Sequence, residues 1–228
     1  MPLNLPHNLP AIDILSKEHI FVMSDLRAST QDIRPLKIAI LNLMPLKITT
    51  ETDLIRLLSN SPLQIEIDFV QLETHFPKNT PIEHLMEFYK PFSIIKKNFY
   101  DGFIVTGAPV ELIPFEEVNY WQELTDIFNW AQTHVTSTFY ICWAAQAAMY
   151  HFYGINKYPL EKKLFGVFKH NINDPSFPLF RGFDDEFYVP HSRHTTVCID
   201  EIEKHPELTI LSQSDEAGVY IISSRGGR

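Results

Sequence analysis

The sequence predicts an α/β protein, a mostly parallel, doubly wound sheet flanked by helices and preceded by an extended N-terminal arm. Three observations point there: from Lys37 onward short apolar runs alternate with stretches of helical spacing, the order strand, helix, strand recurs, and Pro2, Pro6 and Pro10 crowd the first ten residues. Those prolines forbid a regular helix across that segment, so residues 1–35 read as an arm over the surface or onto a partner subunit, with one short helix. KIAILNL (37–43) is a buried-strand run. TETDLIRLLSN (50–60) has helical spacing, with Leu54, Leu57 and Leu58 on its apolar face, and LQIEIDFVQL (63–72) returns to strand alternation. The cycle repeats with YDGFIVTGAP (100–109) as strand, 119–134 as helix, STFYIC (137–142) as strand and AAQAAMYHFYGI (144–155) as a helix closed by Gly154. Beyond Lys163 the strands lose this regularity and suggest an added antiparallel region. No repeat or linker divides residues 36–228, which read as one domain with ligands expected at the carboxyl ends of its strands.

Composition narrows the function. In 228 residues, 45% hydrophobic and 21% charged side chains describe a folded globule. Nineteen Lys and Arg against 28 Asp and Glu leave a net charge of −9, a sign that disfavours nucleic acid as a partner. The longest apolar run, Phe139 to Ala145, is far below the roughly 18 residues of a membrane span, and MPLNLPHNLP lacks the regions of a signal peptide. A cytoplasmic protein is expected, with Cys142 and Cys198 unbridged.

Chemistry concentrates at FYICWAAQAAMY, where an apolar strand runs into Cys142 and a helix begins at once. A nucleophile on such a turn stands above the sheet, the next amide (Trp143) faces the same reacting carbonyl, and the helix N-terminus favours a thiolate. Unbridged cysteines are commonly small buried hydrophobes, but Ala144 and Ala145 are the small residues a tight elbow needs. TGAPVE (106–111) has the form of a second oxyanion donor loop, with the Val110 N–H as donor; taken alone it is also an ordinary turn. Lys47, after the first strand, is placed to reach the same crevice. In PHSRHTT (190–196), which reads as a loop, Ser192 and Arg193 suit a small polar substrate. His191 and His194 lack a third ligand, so no metal site is expected. Lys162, Lys163 and Lys169 read mostly as solvated surface charges.

Taken together, LNLMPLK, TGAPVE, FYICWAAQAAMYHFYGI, EKKLFGVF and VPHSRHT closely resemble the homoserine O-acyltransferases of methionine biosynthesis, the O-succinyltransferases and O-acetyltransferases, whose fold is that of the class I glutamine amidotransferases. The resemblance runs along the whole chain. It implies that Cys142 carries the acyl group as a thioester, that Lys163 and Ser192 contact homoserine, that Glu111 selects the acyl donor (glutamate going with acetyl, glycine with succinyl), and that Lys47 lies close to the nucleophile. The family's base, a histidine followed two residues later by a glutamate, comes after a strand like GVYIISSR. It is therefore expected beyond Arg228, in a C-terminal part that also contributes an arginine.

The implied reaction is transfer of an acyl group, acetyl by the glutamate at 111, from acyl-coenzyme A to the γ-hydroxyl of L-homoserine, with acetyl-coenzyme A as co-substrate and no bound cofactor. A homodimer is the expected assembly. Three alternatives stand beside it: succinyl transfer; a glutaminase or γ-glutamyl hydrolase of the same fold, whose GxCxG elbow is replaced here by Tyr140 and Ala144; and a non-catalytic binding or dimerisation module.

Overall fold

The computed structural model describes residues 3–6, 8–18, 20, 22–24, 34–77 and 79–224. It divides into two compact units, one of residues 1–109 and 115–145, the other of 110–114 and 146–228, where the sequence alone suggests one undivided domain.

The first unit is built on an all-parallel sheet of β1 (Leu3–Leu5), β2 (Val22–Ser24), β3 (Leu36–Leu41), β4 (Ile65–Gln71), β5 (Tyr89–Pro91), β6 (Tyr100–Val105) and β7 (Val135–Tyr140). Among the described residues the order is β2-β1-β4-β3-β6-β7, with β5 beside β4. Its helices are α1 (Pro10–Lys17), α2 (Lys47–Leu58), α3 (Ile82–Phe88), α4 (Phe92–Ile95), α5 (Trp121–His134) and the first turn of α6 (Trp143–Tyr153). Ala39, Ile40 and Leu41 are wholly buried because a parallel strand flanked on both sides has no solvated edge. Helix α5 buries Leu124, Ile127, Phe128 and Ala131, the i, i+3, i+4, i+7 stripe of one face. Trp130 extends that face, donating its indole N–H to the Lys96 carbonyl at 2.9 Å and meeting Phe103 edge-on.

Instead of a surface arm, the N-terminal segment is part of the sheet. Residues 3–5 pair with both β2 and β4 inside the sheet, and Leu5, Leu9, Ala11 and Leu15 belong to its core. Pro10 does not oppose this, because it opens α1 at a first-turn position where no N–H is required. Residues 25–33 of the expected arm lie outside the described residues.

Helix α2 also departs from the expected pattern. Its buried residues are Lys47, Glu51, Thr52 and Ile55, while Leu57, expected on the apolar face, is 72% exposed; Leu54 and Leu58 are partly buried. Counting apolar residues misplaces the face because Glu51 finds its hydrogen-bond partners more than thirty residues away, on Tyr89 and His84.

The second unit carries an antiparallel sheet in the order β11-β10-β8-β9, from β8 (Lys157–Ile172), β9 (Glu186–Val197), β10 (Leu208–Ser214) and β11 (Gly218–Ser224), as the irregular pattern beyond Lys163 suggests. The rest of α6 closes at Gly154, whose φ of +70° suits glycine and whose N–H returns to the Tyr150 carbonyl at 2.9 Å. Met149, Ile155, Ile202 and Val219 form the core of this unit. PHSRHTT is strand, not loop: it lies within β9, where Pro190 is tolerated because β9 ends the strand order. Between Pro159 and Leu164 the ladder shifts register, so β8 bulges at Leu160–Lys163 opposite a straight stretch of β9.

Candidate active site

Cys142 follows β7 directly and precedes α6, with φ of +55°, the sole non-glycine positive φ among the described residues. Holding an L-residue there costs about 1–2 kcal/mol, strain that is stored where a side chain must be aimed. The chain enters through Ile141, whose N–H donates to the Val105 carbonyl at 2.9 Å, and leaves as Ala144 and Ala145 close the first helical turn onto Ile141 and Cys142, both at 3.1 Å. The Cys142 side chain is exposed, and Trp143 below it is wholly buried against Phe115 and Tyr120. The Trp143 amide is among the first in the helix, a position with no intrahelical acceptor.

Gly107 lies against this turn. A Cβ added to it would stand 3.2 Å from the Cys142 Cβ and 3.7 Å from its Sγ. We expect Gly107→Ala to displace the thiol, slowing its alkylation severalfold while lowering stability by only about 1–2 kcal/mol, read by peptide mapping and thermal melting together. An unchanged labelling rate would show that the thiol does not depend on this close approach. Wild-type Cys142 should itself alkylate at least about tenfold faster than the half-buried Cys198, since it is exposed at the start of a long helix. Equal labelling would count against a nucleophile at this turn.

Lys47 opens α2. Its Nζ turns inward to the Asn42 carbonyl, and the side chain is 6% exposed. The register Leu41–Val105–Tyr140 aligns the ends of β3, β6 and β7, so Asn42 lies two strand spacings from Ile141, about 10 Å. Lys47 thus shares the row of strand ends with Cys142. Thr106 ties the row together by accepting the Leu43 N–H at 2.8 Å and donating to the Gly107 carbonyl at 3.1 Å.

In the second unit, Glu111 accepts the His194 N–H at 2.9 Å. His194 falls in the stretch of β9 opposite the β8 bulge, between the Arg193–Leu164 and Thr195–Pro159 pairs, and Glu111 takes up its amide. Lys157 fastens the same 110–114 loop by donating to the Ile113 carbonyl at 2.6 Å, and Val110 begins a turn closed by the Ile113 N–H at 3.1 Å. Ser192 pairs across the ladder with Phe165, and the Lys163 Nζ lies 5.5 Å from the Phe165 ring centroid. Lys163 and Ser192 are both exposed and share this patch.

Arg193 faces elsewhere. Its guanidinium donates to the Ala217 carbonyl and, at 3.4 Å, to that of Val219, bracing the β10–β11 turn. Its sequence-based assignment to substrate finds no support in this orientation, since neighbours on a strand point to opposite faces and Ser192 holds the open one. The same alternation separates His191 from His194. His191 instead meets His170, Nε2 to Nε2 at 3.0 Å, with burial and then the Arg193 charge pulling it down to about 4.

Sequence reasoning missed Asn42, Glu51, His84 and Tyr89, a buried polar group around Lys47. One signal was available: Lys47 and Glu51 stand at i and i+4 of one helix.

The architecture is that of the class I glutamine amidotransferases. Solved structures of a putative GMP synthase subunit from Thermoplasma acidophilum (TM-score 0.58, 16% identity, covering 84% of this chain and 79% of that one) and of a glutamine amidotransferase from Thermotoga maritima (TM-score 0.57, 13% identity, 86% and 73%) share it. At that identity the likeness speaks for the fold alone. The family model for homoserine O-succinyltransferase matches residues 2–228, and the chain belongs to that family. Its relatives include proteins named homoserine O-acetyltransferase from Parabacteroides distasonis (68% identical), Bacteroides fragilis (65%) and Acetivibrio thermocellus (59%), each aligned over the whole of this chain and about three quarters of its own length. Among the described residues no helix is long and apolar enough to cross a membrane.

Proposed function

We propose that this chain carries the chemistry of a homoserine O-acetyltransferase, moving acetyl from acetyl-coenzyme A to the γ-hydroxyl of L-homoserine in methionine biosynthesis through a thioester on Cys142. The observation that carries it is the exposed thiol held at φ +55° on a strand-to-helix turn, in a chain 68% identical to a protein of that name.

The Cys142 thiolate attacks the thioester carbonyl of the donor. The amides of Trp143 and Val110 are the donors assigned to the resulting oxyanion, each such hydrogen bond contributing about 3–4 kcal/mol. The carbon–sulfur bond to coenzyme A breaks, coenzyme A leaves as a thiolate and takes a proton from solvent, and the acetyl group stays on sulfur. A thioester has replaced a thioester, so this half is nearly balanced. A general base then removes the γ-hydroxyl proton of homoserine as its oxygen attacks the acyl-cysteine, and Cys142 leaves as thiolate. The Lys47 ammonium, on the same row of strand ends, favours that thiolate by its charge. Lys163 and Ser192 suit the polar groups of homoserine. Only an acyl group and a proton move, so the scheme calls for no bound cofactor or metal. A homodimer working in the cytoplasm completes the reading.

The test is incubation with acetyl-coenzyme A, followed by intact mass and then addition of homoserine. The expected result is one acetyl group on the peptide containing Cys142, lost when homoserine enters, with O-acetylhomoserine as product. Ammonia released from glutamine, and no adduct from acetyl-coenzyme A, would favour the glutaminase alternative.

A further inference from the structure

We infer that Glu51 is the positioning residue for Lys47, a buried counter-charge that keeps its side chain cationic and aimed along the row of strand ends. The two stand one turn apart on α2, with Lys47 6% and Glu51 1% exposed. A buried carboxylate is costly unless it is paired and hydrogen-bonded, and a leucine at 51 would suit the neighbouring apolar core far better. Glu51 is nevertheless fully engaged. Tyr89 donates its hydroxyl to Oε1 at 2.5 Å, and His84 donates Nε2 to Oε2 at 3.0 Å.

From Tyr89 the chain of contacts leads back to the lysine. The Asn42 amide donates to the Tyr89 oxygen at 3.0 Å and to the Lys47 carbonyl at 3.3 Å, its Oδ1 accepts the Met44 N–H at 3.1 Å, and its main-chain carbonyl accepts the Lys47 Nζ. Lys47 also lies 5.3 Å from the Tyr89 ring centroid, a cation–π contact. The lysine is thereby held by β3, its own helix and β5, and α3 contributes His84. Asn42, Glu51, His84 and Tyr89 are the polar groups of these elements in the network; Glu51 is its anion. Burial pulls the ammonium down to about 8, and the Glu51 charge is the influence that opposes it. Burial and the same charge push the Tyr89 hydroxyl far up, so it remains a donor.

The inference rests on the proposed reaction only for what the Lys47 charge serves; the pairing itself is tested without turnover. Competitive labelling of the whole chain across pH, read by peptide mass, gives the titration midpoint of the Lys47 amine. Glu51→Gln keeps the shape and removes the charge, so the ammonium loses its counter-ion and the midpoint falls by at least about one unit. Labelling well below the wild-type midpoint then becomes about tenfold faster. Glu51→Asp, with the charge drawn back by one methylene, should shift it less in the same direction and stands in if the glutamine variant does not fold. A folded variant with an unmoved midpoint overturns the inference. The rate of Cys142 acylation by acetyl-coenzyme A is followed in parallel, and its pH profile should move with the Lys47 midpoint. A moved midpoint with an unmoved profile would overturn the positioning role while leaving the pairing. No acylation in wild type, with the midpoint moved, would overturn the reaction instead.

Discussion

Cys142→Ala is expected to abolish the acetyl-protein adduct and to lower acyl transfer on the order of 10⁶-fold, the scale of losing a nucleophile whose partners cannot act without it. Cys142→Ser keeps an oxygen in the same place but replaces a thiol of pKa near 8.5 with a hydroxyl that the turn has no means to ionise, so it too should leave no detectable adduct. Neither variant should lose the fold. The side chain is exposed, and what the turn asks of residue 142 is φ of +55°, which alanine and serine tolerate no worse than cysteine. Intact mass after exposure to acetyl-coenzyme A, beside a thermal melt, reads both halves. An adduct persisting in Cys142→Ala would place the nucleophile elsewhere and remove the basis of the proposed mechanism.

The choice of acyl donor is expected to turn on Glu111. Its carboxylate is held by the His194 N–H at 2.9 Å, so its charge has a fixed position rather than sweeping solvent. A succinyl group brings a second carboxylate. With Glu111 at the far end of the acyl group, as the resemblance implies, two like charges about 4 Å apart would repel by about 1 kcal/mol in water and about 4 kcal/mol at an effective dielectric of 20, and the side chain would fill volume the longer acyl group needs. Glu111→Gly should therefore raise the ratio of succinyl to acetyl transfer to Cys142 by about 10²–10³, the factor for about 3–4 kcal/mol. Glu111→Gln retains the bulk and an acceptor for His194 while removing the charge, so an intermediate ratio separates charge from volume. The same hydrogen bond predicts a second effect. Ser192 lies two residues before His194 on β9, so the glycine variant should also bind homoserine more weakly while the glutamine variant does not. Adduct formation with each donor, measured by intact mass, checks the first effect. A wild-type chain preferring succinyl, or an unchanged ratio in Glu111→Gly, would defeat the assignment.

The sequence by itself determined the alternating strands and helices from β3 to α6, because each apolar run is long enough to be read locally and helix and strand repeat with different periods. It also determined the place of Cys142, since a strand, a cysteine and two alanines opening a helix leave one geometry for the turn. The motif match marked Lys163, Ser192 and Glu111, though it left unstated that Glu111 acts on the β9 backbone. Tertiary structure alone decided the rest. Residues 3–5 became sheet strand because β4 offered an open edge, a partner more than sixty residues away. PHSRHTT became strand through pairing with β8, and that pairing turned Arg193 toward the Ala217 carbonyl and His191 toward His170. Glu51 joined the buried side of α2 because Tyr89 and His84 arrive from distant segments to satisfy it. Local periodicity records what one segment must bury on average. Which polar groups can be buried depends on partners that only the folded chain brings within hydrogen-bond reach.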